Sequence, residues 1–127
     1  MKYFFDNCLS YRFAAMLRAL DVDAVALRDR FPAETKDVDV FRELRDSGYV
    51  FITTDARQAT RDYEAKALKE SGITALFFGK FWSRRTLWQQ AVWLISRWER
   101  IDHFASSVQV GTCADIRENG KARPFQL

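Results

Sequence analysis

The chain has 127 residues, 48% of them hydrophobic and 29% charged, with a formal net charge of +3. That length and mix describe one globular domain spanning 1–127 with a real core, and they argue against disorder. No eighteen apolar residues run together and the N-terminus has no leader pattern, so we expect no membrane span and a cytoplasmic protein.

Residues 2–5 read as a buried strand. From Ser10 the apolar positions Phe13, Met16, Leu17 and Leu20 recur at helical spacing, which predicts a helix over 10–20. Residues 22–29 read as a second short strand, followed by a loop around Pro32. A helix is expected over 37–46, with Val40, Phe41 and Leu44 on one face and Thr35 as N-cap, stopped by Gly48. The β-branched and aromatic run 49–54, "YVFITT", is the third strand, ending at Asp55. Residues 56–71 form a polar amphipathic helix closed by Gly72, and 73–78, "ITALFF", form a fourth strand. The segment 83–102 is a long helix with Leu87, Ala91, Leu94, Ile95, Trp98 and Ile101 as its inner stripe. Residues 106–112 offer a last strand, and the final dozen residues read as a loose tail. The alternation of strands and helices predicts an α/β fold, a parallel sheet of four to five strands between two helical layers.

In such sheets ligands bind at the carboxyl ends of the strands. Asp6 follows the first strand, Asp55 follows the third, and Asp37 starts the helix that leads into the third. All three therefore fall on one edge of one sheet. Crowded carboxylates repel one another, and a divalent cation relieves that repulsion. Hard oxygen ligands suit Mg²⁺ or Mn²⁺, which activate water for phosphodiester hydrolysis. Each acid also has a plainer role: Asp6 as cap of the helix near Ser10, Asp37 as a first-turn acid favoured by the helix dipole, Asp55 as cap of the helix at Ala56.

The stretches "YFFDNCLS", "LRDRFP" and "KDVDVFRELRDSGYVFITTD" resemble the PIN-like nucleases over roughly residues 2–80, in particular a small bacterial group that includes toxins of type II toxin–antitoxin modules of the VapC kind. The resemblance implies a PIN-like fold, a Mg²⁺ or Mn²⁺ site held by Asp6, Asp37 and Asp55, and ribonuclease chemistry with one of these acids acting as general base through a bound water. It also implies RNA as substrate and a cognate antitoxin as partner. The pattern departs in two places: Asn7 stands where relatives often carry Glu, and Gln58 where many carry Asp. Asp62 or Glu64 offers a fourth carboxylate.

Other residues have two readings each. Arg57 and Arg61, four apart after Asp55, are either a solvated face or phosphate contacts at the rim of the acid cluster. Lys80, Arg84 and Arg85 with Phe81 and Trp82 form the densest basic and aromatic patch, either an RNA-binding surface or a helix start whose rings, Trp82 above all, pack into the core. Thr53 and Thr54 are strand residues or hydroxyls that orient a ligand, and Asn7 is an amide near the metal or a turn residue. An exposed ring at Trp88 or Trp93 would mark a partner surface for an antitoxin or a homodimer. His103 reads as a surface or C-terminal residue, and Cys8 as a small buried filler. The two cysteines, Cys8 and Cys113, and the single histidine give no zinc or disulfide pattern. The rival to a nuclease is an inactive PIN-like interaction module using the aromatic helix. A phosphoacceptor receiver domain fits less well, because Asp6 lacks the paired acid it needs.

Overall fold

A computed structural model describes residues Met1–Leu127. The elements in chain order are β1 (Lys2–Phe5), α1 (Tyr11–Ala19), β2 (Asp23–Ala26), the single turn α2 (Leu27–Arg30), α3 (Asp37–Leu44), β3 (Tyr49–Thr53), a 3-10 turn (Ala56–Ala59), α4 (Asp62–Ser71), β4 (Thr74–Phe78), α5 (Leu87–Ser107), β5 (Cys113–Ile116) and β6 (Ala122–Phe125). They build one six-stranded sheet in the order β2-β1-β3-β4-β5-β6. The first five strands are parallel and β6 is antiparallel to β5.

Successive side chains of a strand point to opposite faces, and both faces of this sheet are covered. Tyr3, Phe5, Val50, Ile52, Leu76 and Phe78 share one core with α1 and α5. Phe4, Phe51, Ala75 and Phe77 share the other with α3 and α4. That is why the strands read as unbroken apolar runs. Large rings dominate the α5 side, where Trp82 and Trp93 pack at 5.8 Å between centroids and both meet Phe78. Tyr3 packs edge-on against Trp98 at 4.6 Å and donates its hydroxyl to Asp102 of α5.

Several sequence expectations are corrected. The sheet has six strands rather than four to five, because the expected tail forms β6. The turn at Asn119-Gly120 reverses the chain, with Gly120 at φ 84°, and Trp93 Nε1 and Arg100 Nη1 donate to the carbonyls of Glu118 and Asn119. An Asn-Gly pair between short runs is a hairpin signal in its own right. The expected strand over 106–112 lies instead at Cys113–Ile116, because α5 continues to Ser107. That helix also starts later, at Leu87, where Thr86 and Gln89 form a capping box.

The second strand is only Asp23–Ala26; Leu27 turns into α2, held by Asp29 accepting the Ala26 N–H. The helix expected over 56–71 breaks at Thr60 into the 3-10 turn and α4. Lys36 rather than Thr35 is the N-cap of α3, since the Thr35 hydroxyl donates back to the Pro32 carbonyl. On α5, Leu87 and Ile95 are exposed, and Trp93 takes a place in the inner stripe.

Candidate active site

The pleat of the sheet assembles the site. Asp6 continues the parity of Phe4, and Thr53 that of Phe51, so both side chains fall on the α3/α4 face at the carboxyl edge. The ladder carries one step past β1, with the Asp6 N–H donating to Ile52 at 2.9 Å. Asp6 is 6% exposed and its oxygens are crowded with donors. Oδ1 accepts the Asn7 N–H at 2.8 Å, while Oδ2 accepts the Thr53 hydroxyl at 2.7 Å, Gln58 Nε2 at 3.0 Å and the Cys8 thiol at 3.5 Å. The Thr53 hydroxyl in turn accepts the Asp55 N–H at 3.0 Å, linking the two acids.

Asp55 caps the 3-10 turn. It accepts Arg57 N at 3.1 Å, Arg57 Nε at 2.9 Å and Arg57 Nη2 at 3.3 Å. Burial pushes its carboxyl up, but the hydrogen bonds and charge of Arg57 outweigh burial and hold it below the usual range. Asp37 is the first residue of α3 and is shifted the other way. Burial raises its pKa, and the charges of Asp6, Glu64 and Asp55 add to that, against a lowering contact from the Gln58 amide. Glu64, the third residue of α4, is buried on the same helical face as Leu68 and Ser71. Its Oε1 pairs with Arg61 at 3.2 Å, and its Oε2 has no partner. Asp62 is exposed.

Four carboxylates therefore lie near enough for the charges of three to act on Asp37, the fourth, and they divide into two kinds. Asp55 and Glu64 each hold an arginine. Asp6 has hydrogen-bond donors, Asp37 has the Gln58 amide nearby, and neither forms an ion pair.

A model of the PIN like domain family matches residues 1–80, well over half of the chain. The chain belongs to the PIN-like domain family. The match takes in β1 to β4 and every acid just described, and leaves out α5, β5 and β6. No curated protein and no solved structure matches the chain. The PIN-like domain belongs to a nuclease-type superfamily, whose members typically use divalent metals.

In this PIN-like domain no three carboxylate, thiol or imidazole groups stand close enough, as the side chains are placed, to ligate one ion. A hydrated Mg²⁺ asks for less, since it takes one or two carboxylates and keeps several waters. Two buried oxygens, Gln58 Oε1 and Glu64 Oε2, lack any donor. Hard, unpartnered oxygens beside uncompensated carboxylates fit a hard cation. An open hollow of ≈ 550 Å³ lies beside Asp37 and Glu64, lined also by Thr35, Lys36, Val38 and Tyr63.

The four arginines singled out from the sequence do not form one surface in the PIN-like domain. Arg57 and Arg61 turn back onto Asp55 and Glu64. Arg84 and Arg85 line a separate hollow of ≈ 570 Å³ at the start of α5, with Phe81 and Trp88. Arg85 is tied to Glu118 at 2.9 Å and to the Phe81 carbonyl. Trp82 is buried, Trp88 is 79% exposed and Trp93 is buried.

Cys8 corrects an expectation: the residue is exposed rather than a core filler, and its Sγ rests against Asp6 and Thr53. Desolvation of the thiol and the charge of Asp6 raise its pKa, so it stays protonated at neutral pH. Gln58 is the residue that the sequence underplays. It is fully buried with its amide on Asp6 and close to Asp37, in a segment expected to be one polar helix. Glu64 had a readable signal, its i, i+4 spacing from Leu68 on the buried face of α4.

Proposed function

We propose that the chain is a divalent-metal-dependent endoribonuclease, the toxin of a type II toxin–antitoxin pair of the VapC kind, acting in the cytoplasm and neutralised by a cognate antitoxin. The observation that carries this reading is that Asp6 and Asp37 stand without a cationic partner in a cluster whose other two acids each have one. Asp6 and Asp37 would hold Mg²⁺ or Mn²⁺, with Asp55 and Glu64 completing the negative field around it. Such an ion supplies Lewis-acid stabilisation of a phosphodiester and an activated water.

The chain's own groups do the rest. Thr53, Gln58 and the Asn7 N–H fix the orientation of the Asp6 carboxylate. Burial and the neighbouring acids raise the pKa of Asp37 in the ion-free protein, a repulsion that a cation held there would relieve. Arg57 and Arg61 are exposed beside the acids and keep N–H donors free for a phosphate of the RNA backbone. Arg84 and Arg85 would extend that track, and exposed Trp88 would serve the antitoxin or a second copy of the chain.

The test is Mn²⁺ calorimetry with RNA cleavage on wild type, Asp6→Asn, Asp37→Asn and Asp55→Asn. Asp6→Asn and Asp37→Asn should abolish ion binding and lower cleavage by about 10²-fold or more. Asp55→Asn should cost less, because Arg57 already engages that carboxylate. Ion binding that survives both of the first two changes would defeat the nuclease reading and leave an inactive interaction module with Trp88 at its working surface.

A further inference from the structure

Resting on the metal-site reading above, we infer that Gln58 is a two-position gate: its amide nitrogen takes the cation's place between Asp6 and Asp37 in the ion-free protein, and its carbonyl oxygen turns in as a ligand when an ion enters. Three observations carry this. Gln58 is completely buried, on the short turn that Asp55 caps. Its Nε2 donates to Asp6 Oδ2 at 3.0 Å, and the same amide acts on Asp37. Its Oε1 has no donor at all.

The amide group explains why these belong together. A primary amide has two N–H donors on one side and an acceptor oxygen on the other, nearly superposable by a half-turn. With no ion present, the N–H side is the only one that can face two carboxylates, because an oxygen there would meet oxygens. That orientation leaves Oε1 buried without a hydrogen bond, a state that costs free energy in a protein interior. A cation between Asp6 and Asp37 reverses the preference: the N–H side is then repelled and the carbonyl becomes a hard ligand. The orphaned oxygen of the ion-free protein is thus the spare ligand of the loaded one. The consequence is a threshold, since an ion must displace an existing hydrogen bond to Asp6 before it binds.

Gln58→Glu keeps the length of the side chain and removes the donor, so it should invert the balance. In EDTA the variant should melt below wild type, because a further carboxylate faces the acids with nothing between them. In Mn²⁺ it should bind about tenfold or more tightly than wild type by calorimetry, since affinity follows the charge of the ligand set, and its melting temperature should rise more than that of wild type. Equal Mn²⁺ affinity in the two proteins, or equal melting in EDTA, would overturn the gate.

Because Gln58→Glu in EDTA could fail to fold, the wild type supplies a second reading by NMR. The Gln58 side-chain amide protons, hydrogen-bonded to Asp6 in EDTA, should shift on saturation with Mg²⁺ as they leave that carboxylate; no change on saturation would overturn the proposal. The outcomes separate the two readings. Cleavage by wild type that needs Asp37, together with an unaltered Gln58→Glu affinity, would sink the gate and leave the nuclease standing. Tight Mn²⁺ binding by Gln58→Glu with none by wild type would overturn both, because the wild-type amide would then never give way to an ion.

Discussion

At the scale of single residues, what sets the site apart is unequal compensation of like charges. Asp55 and Asp37 belong to one cluster, yet Arg57 holds the first below the usual carboxylate range while burial and neighbouring acids push the second above it. The raised pKa of Asp37 fixes the sign of a pH effect. A carboxyl with a higher pKa folded than unfolded favours the native state while protonated, so its contribution is complete below about pH 4 and is lost as pH rises through the folded value. In EDTA, urea titrations from pH 4 to 7 should show wild type losing stability relative to Asp37→Asn, whose amide does not titrate. Parallel curves for the two proteins would mean that neither burial nor the other acids raise the Asp37 pKa.

At the scale of elements, the hairpin of β5 and β6 shows how a helix and a turn hold each other. Gly120 combines φ 84° with a close approach: a Cβ there would lie 2.9 Å from Arg97 Cδ and 3.3 Å from Arg100 Cδ on α5. A left-handed backbone favours glycine. Gly120→Ala should therefore cost about 1–2 kcal/mol, lowering the melting temperature by roughly 3–6 °C. Arginine side chains can retreat, so the strain resides mainly in the backbone, and Gly120→Asn should cost less than Gly120→Ala. The hairpin was legible from "ENGK". It reads as tail when the polar residues around it are weighed and the Asn-Gly pair is not. The late start of α5 was also legible, in the Thr86–Gln89 capping box.

At the scale of the molecule, β1 is the member that joins everything. It pairs with β2 and β3, places Asp6 at the carboxyl edge and bolts the sheet to α5 through Tyr3, Trp98 and Asp102. Burial first, then the hydrogen bond to Asp102 and its charge, raise the Tyr3 pKa far above the ordinary phenol value. A phenol kept neutral in the native state contributes stability that is full below about pH 10 and is lost above it. Tyr3→Phe should lower stability at neutral pH by about 2 kcal/mol and flatten the alkaline decline. A decline above pH 10 that is identical in Tyr3→Phe would assign it to other groups.

Local pattern alone determined much of this protein. The apolar runs at 2–5, 49–53 and 74–78 demand strands buried on both faces, the apolar spacing of α1 and α3 demands helices against them, and the acids at strand ends point to one edge. Those features depend on neighbours in the chain, which is why Asp6, Asp37 and Asp55 could be named from the sequence. Only the tertiary structure decided who compensates whom. That Arg57 and Arg61 turn inward onto acids, that Glu64 is buried, and that Gln58 Nε2 meets an aspartate 52 residues away are outcomes of folding. A side chain's partner is set by the burial and geometry of contacts remote in sequence. Apolar spacing does not tell Gln58, a polar residue in a polar stretch, from its solvent-facing neighbours; only the resemblance, in which many relatives carry Asp there, sets it apart.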